Sequence, residues 1–258
     1  TARFGEVKPD LSDLPATHPL GSLFKDLADI GRREAAEVAA RVPKVQRRVG
    51  GYNIDALVPP TATAAPINLS HLLVGSEGTL AFTTQIQLKL WPLMGRRGVG
   101  VCHFGSFFRA MDAAQHIVKL KPIAVELVDD TMIDLASKIA MFEPTLRAAV
   151  RGKPAALLLV EFAEDDAENI ARLQQLSDLM RDLGFAWDKT GDSYGGVVEV
   201  LEPKLQQALT DLRTSGLNIM MSMREARKPV SFVEDCAVPL EHLAEYTSRL
   251  SDVFARHG

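Results

Sequence analysis

Two short glycine-bearing stretches hold the residues of this 258-residue chain whose types and spacing could do chemistry. The first is Gly75-Ser76-Glu77-Gly78-Thr79, set between the apolar run Leu72, Leu73, Val74 and a β-favouring segment, Leu80 to Trp91, closed by Pro92. Glycine lacks a Cβ and reaches backbone angles closed to other residues, so a flat or phosphorylated ligand can approach main-chain groups closely at such a turn. Ser76, Glu77 and Thr79 add polar side chains to it. Spacing by itself says less, because a GxxG turn between two buried elements is usually only a turn. The second stretch runs from Arg41 to Leu57, where Arg41, Lys44, Arg47 and Arg48 precede Gly50-Gly51 and then Tyr52-Asn53. Pro43 ends the element before it, and the glycine pair allows a tight bend. From residue types alone, these cations form a solvated basic turn.

Elements must hold these turns. Apolar residues at Leu20, Leu23, Phe24, Leu27, Ile30 and Val38 trace one face of an amphipathic helix, a docking element and not a site. Thr1 to Pro19 is polar, proline-bearing and without a lasting period, and reads as an arm or linker. Leu57 to Pro66 reads as a surface loop, and Asn68 or Ser70 can cap a brief helix ending near Gly75. From Arg96 the texture changes to alternating strand-like and helix-like segments. This places a domain boundary near Met94 to Arg97 and gives domains 1–95 and 96–258.

In the second domain, strands are expected at Gly98 to Phe104, Ile123 to Val128, Ala155 to Phe162, Gly196 to Leu201, Leu217 to Met223 and Val230 to Val238. Helices are expected at Ser106 to Lys119, Asp130 to Met141, Asp166 to Leu183, Pro203 to Thr214 and Pro239 to His257. Ser106 and Asp130 have N-cap chemistry, and Pro203 and Pro239 suit a first helical turn. Periodicity does not decide between a parallel and an antiparallel sheet.

Composition narrows the function classes. A net charge of −4 and a pI near 5.9 give no electrostatic case for nucleic acid. No apolar stretch approaches the length of a membrane helix, and no signal pattern opens the chain. Cys102 and Cys236 stand far apart with no CxxC, which reads as two buried thiols in a reducing cytoplasm. The six histidines include no HxH or HxxxH pair, so no metal centre is expected. Asp129-Asp130 reads as a helix cap, Met220 to Met223 as flexible core, and Glu234-Asp235 as the end of a strand.

The runs GYNIDAL (Gly51 to Leu57), NLSHLLVGSEGTLAFTTQIQLKLWPL (Asn68 to Leu93), AVELVDDTMIDLA (Ala124 to Ala136) and KPVSFVEDCAVPLEHL (Lys228 to Leu243) occur in that order. Together they resemble the FAD-linked oxidases of the vanillyl-alcohol-oxidase superfamily, in the branch of D-lactate, D-2-hydroxyglutarate and glycolate dehydrogenases, iron-sulfur-fused type. The resemblance covers most of the chain beyond about residue 40. It implies an α+β fold in which a ferredoxin-like antiparallel sheet with helices on one face forms a substrate cap, preceded by the last part of a flavin-binding domain.

The chemistry it implies is oxidation of a D-2-hydroxy acid to the 2-keto acid, with hydride passing from the α-carbon to the flavin of FAD. Electrons would leave to an acceptor or a fused iron-sulfur domain. Tyr52, Asn53, Gly75, Ser76, Glu77, Gly78 and Thr79 would line the cofactor. Arg47 or Arg48 would grip the substrate carboxylate with two parallel hydrogen bonds, the spacing not deciding which. Arg213 resembles an arginine of the family, with a structural salt bridge as its expected role.

The glycine-rich pyrophosphate turn of the first flavin half and a GHxGDGNxH-like segment are absent from the sequence. The expectation is therefore an internal piece of a larger cytoplasmic flavoenzyme, peripheral to the inner membrane or free of it, and inactive alone. The competing reading is a ferredoxin-like binding or dimerisation module without redox chemistry, which has no use for RRVGGYN and GSEGT.

Overall fold

Phe4, Val7, Leu11 and Leu14 are spaced three and four apart as on a helix, yet the segment that carries them forms no helix, and they pack into one cluster with Phe24, Leu57, Ile67 and Leu69. The computed structural model describes residues 3–45, 50–59, 66–221, 233 and 236–257. Backbone contacts divide the chain into two compact units, Thr1–Leu90 and Trp91–Gly258.

In the first unit, strand β1 (Glu6–Val7) precedes helix α1 (Gly21–Arg41), and strand β2 (Ile67–Asn68) precedes the short helix α2 (Ser70–Leu73). β1 and β2 pair antiparallel, and Leu69 N–H donates to Gly5 O at 2.9 Å. The residues expected as an arm or linker are thus tied down, because their apolar side chains find a helix face to cover. Phe24 is buried on that face and Leu27 and Ile30 partly so, whereas Leu23 stays exposed. The strand expected over Leu80 to Trp91 does not form: the segment carries no ladder bonds among the described residues. A strand needs a partner, and β propensity cannot supply one.

The second unit is built on a four-stranded antiparallel sheet of order β4-β5-β3-β6, with β3 (Gly98–Phe104), β4 (Ala124–Asp129), β5 (Ala156–Phe162) and β6 (Gly195–Val200). The α+β class and the antiparallel sheet are those expected. Helices α3 (Phe107–Ile117) and α6 (Asp166–Asp182) make the two crossovers and share one face with α9 (Leu243–His257), over Cys102, Phe104, Leu158, Val160 and Phe162. The opposite face, carrying Val99, Val101, Leu157 and Leu159, is also covered, by α4 (Asp130–Ser137), α5 (Glu143–Ala149), α7 (Pro203–Thr214) and α8 (Gly216–Met221). The picture of helices on one face describes the crossovers and omits this second layer. The reason is visible in β3 and β5, which are apolar on both faces apart from His103 and Glu161 and so require cover on both sides.

Asp129 caps α4 by accepting from Met132 N–H at 2.8 Å. Arg213 and Glu126 form a half-exposed ion pair at 3.3 Å. Two buried amides fix the start of β3: Asn169 Nδ2 donates to Arg96 O at 2.8 Å, and Gln206 Nε2 to Arg97 O at 2.6 Å. The expected strand over Leu217 to Met223 is instead α8, since Leu, Asn and Met permit a helix and Ile219 buries from it. Most of the strand expected at Val230 to Val238, with Glu234 and Asp235, lies outside the described residues, as do Ser222 and Met223.

Candidate functional site

The two glycine-bearing turns meet in the first unit. Asn53 Nδ2 donates to His71 O at 3.2 Å and to Val74 O at 3.0 Å, so one side-chain amide satisfies carbonyls at the end of α2. Asn68 serves the other end: its Oδ1 accepts from Ser70 N–H at 3.1 Å and from Ser70 Oγ at 2.7 Å. Thr79 Oγ1 donates its proton to Ser76 O at 2.6 Å. The 2.9 Å bond between Tyr52 and Thr79 must then have the tyrosine O–H as donor. Tyr52, 55% exposed, therefore lies over the turn with its ring open to solvent.

Inside the turn, Gly75 and Gly78 take φ of 78° and 79°, and Glu77 takes φ of 49°. A non-glycine residue in the left-handed region costs about 1 kcal/mol, and such strain clusters at ligand-contacting turns. Ser76 is buried, and both its N–H (3.2 Å) and its Oγ (2.9 Å) donate to Leu73 O, which fixes the turn to the helix end. The N–H groups of Glu77 and Gly78 have no acceptor among the described residues. A Cβ built on Gly78 meets nothing within 4 Å, so the turn's outer face is open. Left-handed residues with free N–H groups form a concave set of donors suited to a phosphate or a polarised carbonyl. Arg47 and Arg48 lie outside the described residues. Sequence reasoning missed His71 and Val74, which act through backbone carbonyls and carry no side-chain signal.

Asn53→Ala is expected to loosen this arrangement. Losing two hydrogen bonds should cost about 1–2 kcal/mol locally, read as roughly tenfold faster amide exchange at Ser76 and Thr79. Unchanged exchange at both amides would show that Asn53 does not hold the turns together.

The family described as FAD linked oxidases, C-terminal domain, matches residues 94–258. The chain belongs to the FAD linked oxidases. It is 28% identical over 247 residues to a D-2-hydroxyglutarate dehydrogenase of Pantoea ananatis, which covers 93% of this chain and 23% of that protein. It is 25% identical over 256 residues to the enzyme of that name from Haemophilus influenzae, covering 98% of this chain and 24% of the relative. A D-lactate dehydrogenase of Archaeoglobus fulgidus is 29% identical over 192 residues, 74% of this chain and 38% of that one. The chain thus spans about a quarter of the length of the hydroxyglutarate dehydrogenases it matches. The Haemophilus alignment takes in nearly the whole chain and so includes both turns.

Within the FAD linked oxidase C-terminal domain, His103 is wholly buried on β3. Its Nε2 accepts from Arg151 N–H at 3.0 Å, so the ring proton sits on Nδ1, which donates to Val101 O at 2.9 Å. Trp187 packs edge-on at 5.0 Å, and the Arg151 guanidinium stacks over Trp187 at 5.0 Å. Burial, and after it the charge of Arg151, keep the imidazole neutral and push its pKa down to about 4, against the backbone hydrogen bonds at Val101 and Gly196. This histidine organises backbone and has no open path to a substrate. Burial likewise pushes the Cys102 thiol up and leaves it inert, whereas Cys236, expected to be buried too, is exposed. Among the described residues no group of three or more His, Cys, Asp or Glu could hold a metal ion, and no helix is long and apolar enough to cross a membrane.

Proposed function

We propose that this chain is the part of an FAD-dependent 2-hydroxy-acid dehydrogenase that supplies one wall of the flavin site and the substrate cap. Residues 1–95 are the end of the flavin-binding domain, and residues 96–258 are the cap. The observation that carries the reading is the joined pair of turns, with its strained left-handed Glu77 and two free N–H groups, in a chain that belongs to the FAD linked oxidases. The turn fits a flavin: within Gly75 to Thr79, Glu77 and Gly78 present main-chain donors on an open face, and Tyr52 and Asn53 hold that face in place.

Bound FAD would supply the hydride acceptor. The chain's own residues position it, and Arg47 or Arg48 holds the substrate carboxylate as a fixed cation. The relatives' names point to D-2-hydroxyglutarate or D-lactate as substrate, with glycolate as the third member of the class. We place the protein in the cytoplasm or at the inner face of the membrane, passing electrons to a separate acceptor or an iron-sulfur domain, and working as a homodimer.

The test is an FAD titration followed by tryptophan fluorescence, on this chain and on a version lengthened at both ends with the sequence its relatives carry there. The lengthened protein is expected to bind FAD and oxidise one of these acids; the 258-residue chain is expected to bind weakly and turn over neither. Failure of the lengthened protein to bind FAD or oxidise any of the three acids would overturn the reading. Tight binding by the short chain would show that the Gly75 to Thr79 turn holds more of the cofactor than one wall.

A further inference from the structure

Helix α1 uses alanine freely, at Ala28, Ala35, Ala36, Ala39 and Ala40, yet places glycine at position 31. Glycine inside a helix costs about 1 kcal/mol against alanine, and Gly31 has no left-handed angle to call for it. The cause is a close approach. Gly31 is buried, and a Cβ built on it would stand 2.0 Å from Leu57 O and 2.6 Å from Leu57 C, at the end of the short helical turn Ile54–Leu57. Both are backbone atoms, so no rotamer change makes room. α1 is itself held, by buried Phe24 in the cluster of the first unit and by Arg32 Nη1, which donates to Pro9 O at 3.1 Å. The turn at Ile54–Leu57 in its own right carries the two residues that join the glycine-bearing stretches. Asn53 stands immediately before it; Ala56 N–H donates to Asn53 O at 3.0 Å, and Ile54 N–H to Tyr52 O at 2.8 Å. From there Asn53 reaches His71 O and Val74 O, and Tyr52 reaches Thr79.

We propose that Gly31 is a positioning residue for the flavin wall. The bare helix face at Gly31 sets how closely the turn Ile54–Leu57 lies against α1, and through Asn53 and Tyr52 it aims the Glu77 and Gly78 N–H donors. That these donors face a flavin rests on the function proposed above; that Gly31 aims them rests on the contacts of the first unit alone. A carbon–oxygen contact needs roughly 3.3 Å, so a methyl group at position 31 displaces the turn by about 1 Å. The Asn53 bonds, at 3.2 and 3.0 Å, already lie toward the long end of the hydrogen-bond range and do not survive such a shift. Gly31→Ala improves helix propensity, so any loss it causes must come from the contact with Leu57 and not from α1 itself.

A double-mutant cycle read by amide exchange at Ser76 and Thr79 tests this on the 258-residue chain. Gly31→Ala should speed exchange at both amides about tenfold, as Asn53→Ala does. The two together should be no faster than Asn53→Ala alone, because the bonds through which Gly31 acts are then already gone. Leu57→Val, a milder change at the same contact, should give about a threefold effect that Asn53→Ala masks in the same way, and it decides the matter if Gly31→Ala does not fold. In the lengthened protein, Gly31→Ala or Leu57→Val should weaken FAD binding by a matching factor and alter the visible circular dichroism of the bound flavin. Unchanged exchange, or an acceleration that persists in the Asn53→Ala background, would overturn the proposal, since a residue that merely stabilises the unit adds its effect to that of Asn53. Faster exchange with FAD affinity and flavin dichroism unchanged would overturn it too, while leaving the flavin reading intact. A lengthened wild type that binds no FAD would instead overturn the flavin reading, and the exchange cycle would still decide whether Gly31 aims the turn.

Discussion

Gly105→Ala is expected to destabilise the four-stranded unit by about 3 kcal/mol, the upper end of the cost of overpacking. A Cβ on Gly105 would stand 1.8 Å from Gly191 O and 2.8 Å from Gly191 C. These are backbone atoms, so no rotamer change relieves the clash. The neighbourhood is pinned as well: Gly105 N–H donates to Tyr194 O at 3.0 Å, and Tyr194 N–H donates to Gly191 O at 3.0 Å. The turn between β3 and α3 and the turn before β6 are thereby locked at a spacing that only a missing side chain permits. Urea unfolding followed at Trp187, in a Trp91→Phe background, measures the loss. A midpoint unchanged from the parent would show that the two backbones do not meet.

Acidification from pH 6.5 to 4 should remove about 3 kcal/mol of stability through His103 alone. The folded ring has its pKa lowered from 6.5 to about 4, so within that window the unfolded chain takes up a proton that the folded chain refuses. The contribution is complete above pH 6.5 and disappears as pH falls through 4. Protonation would also set an N–H on Nε2 against the Arg151 N–H that it now accepts, two donors face to face. Carboxylates titrate nearby in pH, so the comparison that isolates the effect is with His103→Gln, which keeps an acceptor and a donor but does not ionise. The wild-type curve of stability against pH should be steeper than the variant's between 6.5 and 4. Parallel curves would mean that His103 does not resist protonation.

Both predictions concern positions that look ordinary along the chain. Gly105 is one of 18 glycines, and His103 is an isolated histidine. Nothing in their neighbours in sequence says that a turn almost ninety residues away approaches the first, or that the Arg151 backbone finds the second. Asn169 and Gln206 are similar cases: each is a polar residue on a helix that folding turns inward to a carbonyl at the start of β3.

Local chemistry did determine much of this protein. The core strands β3 and β5 were legible because a nearly continuous apolar run of strand length, broken only by His103 in one and Glu161 in the other, has few other fates. α7 begins at Pro203 and ends at Thr214 as its pattern demands, since a proline that cannot donate suits a first turn. The left-handed turn at Gly75 to Thr79 was foreshadowed by glycine's conformational freedom, although the same conformation at Glu77 was not.

Tertiary structure alone decided the rest. It placed Tyr52 on Thr79 and Asn53 on the end of α2, because hydrogen bonds to a distant backbone leave no periodic trace. It made a helix of Leu217 to Met221 and left Leu80 to Leu90 without a strand partner among the described residues although its alternation is that of a strand. A helix closes its hydrogen bonds within itself, whereas a strand borrows them from elsewhere, so the sequence states the wish to pair and only the partner fulfils it.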